Sequence, residues 1–74
     1  MIEIYGKDNC PYCDMAKSLA ERKGREVVYK QLDVDYGFSE MRELFPGART
    51  FPQIIVDGKH IGGYSHLEEY FGEV

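Results

Sequence analysis

The chain contains only two cysteines, Cys10 and Cys13, and they bracket Pro11 and Tyr12. Thiols at this spacing lie one helical turn apart, close enough to make and break a disulfide with little backbone movement. Tyr12, Met15, Ala16, Leu19 and Ala20 follow the i, i+3, i+4, i+7, i+8 pattern of an amphipathic helix. Pro11 suits the first position of that helix, where its missing N–H would have no partner anyway. Cys10 then falls at the N-cap, its sulfur beside free backbone N–H groups and the positive end of the helix dipole. That environment favours a thiolate. The run before it, Met1-Ile2-Glu3-Ile4-Tyr5, alternates as a strand does. A strand, an activated thiol and a second thiol one turn later describe a dithiol–disulfide redox site.

Two other uses of the pair compete with this one. A structural disulfide closing so short a loop restrains the unfolded chain very little, so stability is a poor reason for it. Cys-x-x-Cys is also half of a zinc site, but His60 and His66 are the only histidines and have no finger-like spacing.

With 74 residues, the chain is expected to form a single domain over 1–74. A chain of this size buries roughly 60% of the surface its unfolded form exposes. A formal net charge of −4 without any basic cluster excludes general nucleic-acid binding. No apolar run approaches membrane-spanning length, and the N-terminus lacks the charged and apolar regions of a signal peptide. Without a disulfide framework, the expected location is the reducing cytoplasm.

Gly6-Lys7-Asp8-Asn9 forms a turn-prone connection into the cysteines. Lys7 places a cation near Cys10, where it would favour the thiolate and attract an anionic substrate. Asp8 is expected to point outward. The first helix should run to about Lys23, with Gly24 as its stop and Lys17, Glu21, Ser18 and Arg22 on its wet face. Val27–Leu32 reads as a second strand, parallel to the first through a βαβ crossover. Asp33 and Asp35 in the exit loop read as solvated charges. Ser39 is a candidate N-cap for a short helix burying Phe38, Met41, Leu44 and Phe45 and stopped by Pro46-Gly47.

Thr50–Val56 and Lys59–Ile61 flank Asp57-Gly58, a pair suited to a type I′ hairpin turn. Pro52 confines its segment to a strand start or edge. Gly62-Gly63 ends the last strand and permits close backbone approach. Ser65 and Glu68 read as the capping box of a last helix that buries Tyr64, Leu67, Tyr70 and Phe71 and stops at Gly72.

Three stretches, Cys10-Pro11-Tyr12-Cys13, Thr50-Phe51-Pro52-Gln53-Ile54 and Gly62-Gly63-Tyr64-Ser65 with Leu67, occur in an order and at separations that resemble the glutaredoxin family over nearly the whole chain. Pro-Tyr between the cysteines is similar to dithiol glutaredoxins rather than thioredoxins, and the compactness is similar to bacterial and phage members. The resemblance implies an α/β, thioredoxin-like fold: a four-stranded mixed sheet of order 2-1-3-4, the first and third helices on one face and the second on the other. It implies a cis Phe51-Pro52 bond and glutathione as cosubstrate, with the Phe51 backbone pairing with the cysteine of glutathione. It also implies a groove lined by Lys7, Tyr12, Thr50, Phe51, Pro52, Gly63, Ser65 and His66, with Arg49 lending positive charge. Free N–H groups opening the last helix would help to hold the carboxylates of glutathione.

The function so implied is reduction of protein disulfides and glutathione mixed disulfides by a monomeric enzyme that uses Cys10 and Cys13. The expected partners are glutathione and disulfide-containing or glutathionylated proteins, ribonucleotide reductase among the candidates, with no metal, nucleic acid or membrane. The chain departs from the family pattern at His66, where many dithiol members carry an aspartate placed for the ammonium of the γ-glutamyl group. That departure keeps open a second reading, a dedicated donor to ribonucleotide reductase recharged by a reductase. A third reading, an iron–sulfur carrier sharing a glutathione-ligated cluster between two chains, is disfavoured by Pro11, because cluster-binding relatives usually carry a smaller residue there. His60 reads as structural.

Overall fold

The computed structural model describes residues 1–73. The element order is β1 (Ile2–Gly6), α1 (Pro11–Arg22), β2 (Val27–Gln31), α2 (Phe38–Leu44), β3 (Gln53–Val56), β4 (Lys59–Gly62) and α3 (Tyr64–Tyr70). One sheet has the order β2-β1-β3-β4, as the resemblance implied. β1 runs parallel to β2 and antiparallel to β3, which pairs antiparallel with β4. Asp57 and Gly58, at φ 49° and 85°, form the hairpin turn with positive φ at both central positions, as a type I′ turn requires.

Side-chain alternation along the central strands divides the core in two. Ile2, Ile4, Ile54 and Val56 face Ala16, Leu19 and Ala20 of α1 and Leu67 of α3. Tyr5 and Ile55 face Met41 and Phe45 on the α2 side. Helices one and three therefore share a face, and helix two covers the other.

Several local expectations are corrected. Cys13, rather than Tyr12 or Met15, belongs to the buried stripe of α1, and those two side chains are 58% and 44% exposed. Ala16, Leu19 and Ala20 face the sheet as expected, and the small Cys13 joins them at the start of the helix. In α2 only Met41 is buried, with Phe45 just beyond it, while Phe38 and Leu44 are exposed. The aromatic place expected of Phe38 is taken by Tyr36 from the loop, 5% exposed, edge-on to Tyr5 at 5.0 Å. Its hydroxyl donates to the Gly6 carbonyl at 2.9 Å. Asp35 closes its own turn by accepting from the Gln31 N–H at 2.8 Å. Tyr70 is exposed because its hydroxyl accepts from Arg25, which also bonds Asp57.

Both expected serine caps lie inside their helices. α2 is capped at Gly37, whose N–H donates to the Glu40 carboxylate at 3.2 Å. α3 is capped at Gly63, whose N–H donates to His66 Nδ1 at 3.1 Å. In each case a glycine in extended conformation starts the helix, and the acceptor three residues on supplies the return half of a capping box.

Candidate active site

The sheet delivers Cys10 to the N-cap of α1 in an extended conformation, with Pro11 at the first helical position. The Cys13 N–H, in the first turn of α1, donates to both the Cys10 carbonyl at 3.0 Å and Cys10 Sγ at 3.2 Å. The two sulfurs are joined in a disulfide, with the Cα atoms 5.2 Å apart. Cys13 is wholly buried, whereas Cys10 keeps 9% of its surface in solvent. A reagent arriving from solvent therefore meets Cys10 first.

A groove of about 420 Å³ begins at Tyr12, between the cysteines. One wall is Thr50, Phe51 and Pro52, with the Phe51-Pro52 bond cis. The other wall is Gly63, Tyr64, Ser65, His66 and Glu68, from the start of α3. The walls meet where Gly63 packs on the Pro52 carbonyl, at 3.4 Å from the place a Cβ would occupy. Gln53, only 5% exposed, braces the first wall. Its amide N–H₂ donates to the Thr50 carbonyl at 2.8 Å, and its Oε1 lies 2.8 Å from His60 Nε2. His60 thus has the structural role expected of it, packed at a tilt against Phe45 with ring centroids 4.6 Å apart.

Seven of the groove residues anticipated from sequence are brought together here: Tyr12, Thr50, Phe51, Pro52, Gly63, Ser65 and His66. Lys7 stands at the rim rather than in the wall, its Nζ 5.7 Å from the centre of the Phe51 ring. Arg49 is exposed and does not line the groove. Asp8 turns away from the thiols, as expected, and accepts from Gln31 Nε2 at 2.8 Å.

Two lining residues were missed as site residues, Tyr64 and Glu68. Tyr64 packs against the core, as the stripe of the last helix predicts, and lines the groove as well, while Glu68 reads from the sequence as a helix cap. Tyr64 stacks on Tyr12 with centroids 5.7 Å apart and divides the groove from a hollow of about 230 Å³ over Asp14, Met15, Ser18 and Arg22. Removal from water pushes the Tyr64 phenol pKa upward, and the neighbouring Glu68 carboxylate adds to the shift. Among the described residues no three His, Cys, Asp or Glu side chains are grouped to hold a metal ion, and no helix is long and apolar enough to cross a membrane.

Comparison with known proteins gives a consistent answer. The glutaredoxin family model matches residues 2–61. Glutaredoxin 3 of Escherichia coli (strain K12) is 41% identical over 68 residues, spanning 89% of this chain and 80% of that protein. A solution structure of glutaredoxin from Brucella melitensis superposes with a TM-score of 0.76 at 37% identity, covering 97% of this chain and 78% of the other. A buckwheat glutaredoxin–glutathione complex superposes with a TM-score of 0.81 at 27% identity, covering 97% and 68%. The chain therefore belongs to the glutaredoxin family of glutathione-dependent disulfide oxidoreductases, with Cys10 and Cys13 as its redox pair.

Proposed function

We propose that the chain reduces protein disulfides and glutathione mixed disulfides, with Cys10 as nucleophile, Cys13 as resolving thiol and glutathione held in the groove that begins at Tyr12. The observation that carries the assignment is the asymmetry of the pair. Cys10 sits at the helix N-cap with surface in solvent, and Cys13 is wholly buried one turn inside. The Cys10 thiolate attacks a substrate sulfur, the substrate's S–S bond breaks, and one thiolate leaves with the bonding electron pair. A protein bound to Cys10 is then released when Cys13 attacks Cys10. Glutathione bound to Cys10 is removed by a second glutathione.

The groove suits a tripeptide that bears an ammonium and two carboxylates. Thr50, Ser65 and His66 supply polar groups, and the Phe51 backbone, by the family resemblance, pairs with the cysteine of glutathione. Lys7 at the rim, with Arg49 beyond it, supplies positive charge. Glu68 is the one carboxylate in the lining, and it stands two residues from His66, which replaces the aspartate usual in dithiol members. It compensates for that departure by presenting negative charge to the γ-glutamyl ammonium.

The test is a coupled assay on a glutathionylated protein, driven either by glutathione with glutathione reductase or by thioredoxin reductase. Turnover is expected with the first system. Turnover with the second alone would overturn the glutathione assignment. Lys7→Ala should slow the glutathione reaction about two- to fivefold, the effect of losing an exposed ion pair of about 0.5–1 kcal/mol, without lowering the unfolding midpoint. Unchanged kinetics together with an unchanged Cys10 thiol pKa would make Lys7 a bystander.

A further inference from the structure

The buried half of the redox pair has a neighbour that the reaction outlined above does not use. Tyr29, on β2 beside Ile4 of β1, points to the α1 side of the sheet and packs against the core there. Its ring runs toward Gly6, the last residue of β1. A Cβ at Gly6 would lie 2.7 Å from Tyr29 Cζ, nearer still to the phenol oxygen, and 3.2 Å from Cys13 Cβ. Gly6 is thus the gap that the Tyr29 hydroxyl fills, and that hydroxyl and Cys13 flank the same point. The Gly6 carbonyl is already taken by the Tyr36 hydroxyl at 2.9 Å, so the two phenols have different places.

We propose that the Tyr29 hydroxyl is the hydrogen-bond donor for the Cys13 thiolate, through which the buried resolving sulfur gains and loses charge. This rests on the reading of Cys13 as the resolving thiol. When glutathione thiolate attacks Cys10 Sγ in the oxidised protein, the Cys10–Cys13 bond breaks and its electron pair leaves on Cys13 Sγ. A new bond joins Cys10 to glutathione. In the reverse direction the Cys13 thiolate attacks Cys10 and expels the substrate's sulfur as thiolate. Both steps put a negative charge on a sulfur that is wholly buried, and an isolated buried charge is costly unless a donor meets it. The exposed Lys17 side chain places its Nζ 5.6 Å from the centre of the Tyr29 ring.

The charge state of the phenol suits a donor. Burial, then the nearby Asp14 and Asp8 carboxylates, push the Tyr29 pKa above its ordinary value, so the hydroxyl keeps its proton at neutral pH. Tyr36, the next phenol, is pushed up to about 12, chiefly by burial, and is likewise neutral. On the α1 side the group facing Cys13 is therefore the neutral Tyr29 phenol, with Asp8 and Asp14 near it and the exposed Lys17 amine over its ring, while Tyr36 belongs to the α2-side cluster.

The test uses Cys10→Ser, in which Cys13 is the only thiol, and follows thiolate absorbance against pH. Adding Tyr29→Phe, which keeps the ring, should raise the Cys13 pKa by about half to one unit, the value of one hydrogen bond. In the two-cysteine protein the same change should slow protein-disulfide reduction about two- to fourfold, because the lost thiolate is partly offset by higher intrinsic nucleophilicity. Removal of glutathione from a mixed disulfide, which needs no Cys13 thiolate, should stay at the wild-type rate. Gly6→Ala, which forces the hydroxyl from its place, should raise the Cys13 pKa in the same direction.

An unchanged Cys13 pKa in Tyr29→Phe overturns the proposal, as does an equal loss in both activities. Failure of the resolving-thiol reading itself would register separately, as full protein-disulfide reduction by Cys13→Ser with Tyr29 intact.

Discussion

Cys10→Ser should lose reduction of both glutathionylated proteins and protein disulfides, whereas Cys13→Ser should keep most of the first activity and lose most of the second. The two sulfurs are equivalent in sequence spacing but not in place. Cys10 is at the helix N-cap, accepts the Cys13 N–H and reaches solvent, and Cys13 does none of these. A serine hydroxyl at position 10 is not ionised near neutral pH, so Cys10→Ser should lower both rates by on the order of a thousandfold or more. Removal of glutathione from a mixed disulfide needs one enzyme thiol, because external glutathione makes the second attack. Release of a protein from Cys10 differs. Cys13 sits 5.2 Å away, Cα to Cα, and its attack is intramolecular. Well-oriented intramolecular attack has an effective concentration far above millimolar external thiol, so Cys13→Ser should slow that step by roughly a hundredfold or more. Assaying both variants on a glutathionylated substrate and on a protein disulfide decides the matter. Equal loss of both activities in Cys13→Ser would give Cys13 a part in the first attack. Residual activity of Cys10→Ser would mean that the nucleophile is misassigned.

Most of the frame that positions these thiols was legible in the sequence, because it rests on periodicity and turn chemistry. Alternation marked β1, Asp57-Gly58 marked the hairpin, and Pro11 after Cys10 marked the start of α1. The sheet order and the partition of helices between faces came from family resemblance, since strand pairing is set by contacts far apart in sequence. What remained hidden depends on tertiary packing. Tyr36 lies in a loop with no periodicity, yet it is buried because Tyr5 and the Gly6 carbonyl accommodate its ring and hydroxyl. Phe38 and Leu44 match a helical stripe, but a short helix over one sheet face buries little more than Met41.

The candidate site was misread chiefly through helix starts. Serine is a strong N-cap residue, so Ser39 and Ser65 drew the starts two residues too late. The usable signal was a glycine followed three residues later by a side-chain acceptor, Gly37 with Glu40 and Gly63 with His66. Starting α3 at Gly63 gives His66 the cap role and frees Glu68 from it, which leaves Tyr64 and Glu68 in the groove wall. In the sequence Gln53 shows only as part of a motif. Its bracing of Thr50 and His60 joins residues on two strands and a loop.

Gly62→Ala should be among the most destabilising single changes outside the core, and its cost should depend on His66. Gly62 has φ +121°, a backbone conformation that an L side chain occupies only with strain of about 1–3 kcal/mol. The methyl would also point into the His66 ring, 2.7 Å from Cγ and nearer still to Nδ1. His66 is exposed and can swing aside, but its Nδ1 then gives up the Gly63 N–H that starts α3. Losing a cap of that kind costs about 0.5–2 kcal/mol. Together these put Gly62→Ala at about 1.5–5 kcal/mol, a large part of the roughly 4–11 kcal/mol usual for a chain this size. His66→Ala alone should cost only the cap. In the double variant the ring is gone before the methyl arrives, so the total should fall short of the sum by about the value of the cap. Urea unfolding of the three variants against wild type measures this, provided the slope with denaturant is unchanged. A loss below about 0.5 kcal/mol in Gly62→Ala would refute the strained conformation. Strict additivity of the two changes would refute the contact between Gly62 and His66, and with it the account of how α3 is started at the edge of the groove.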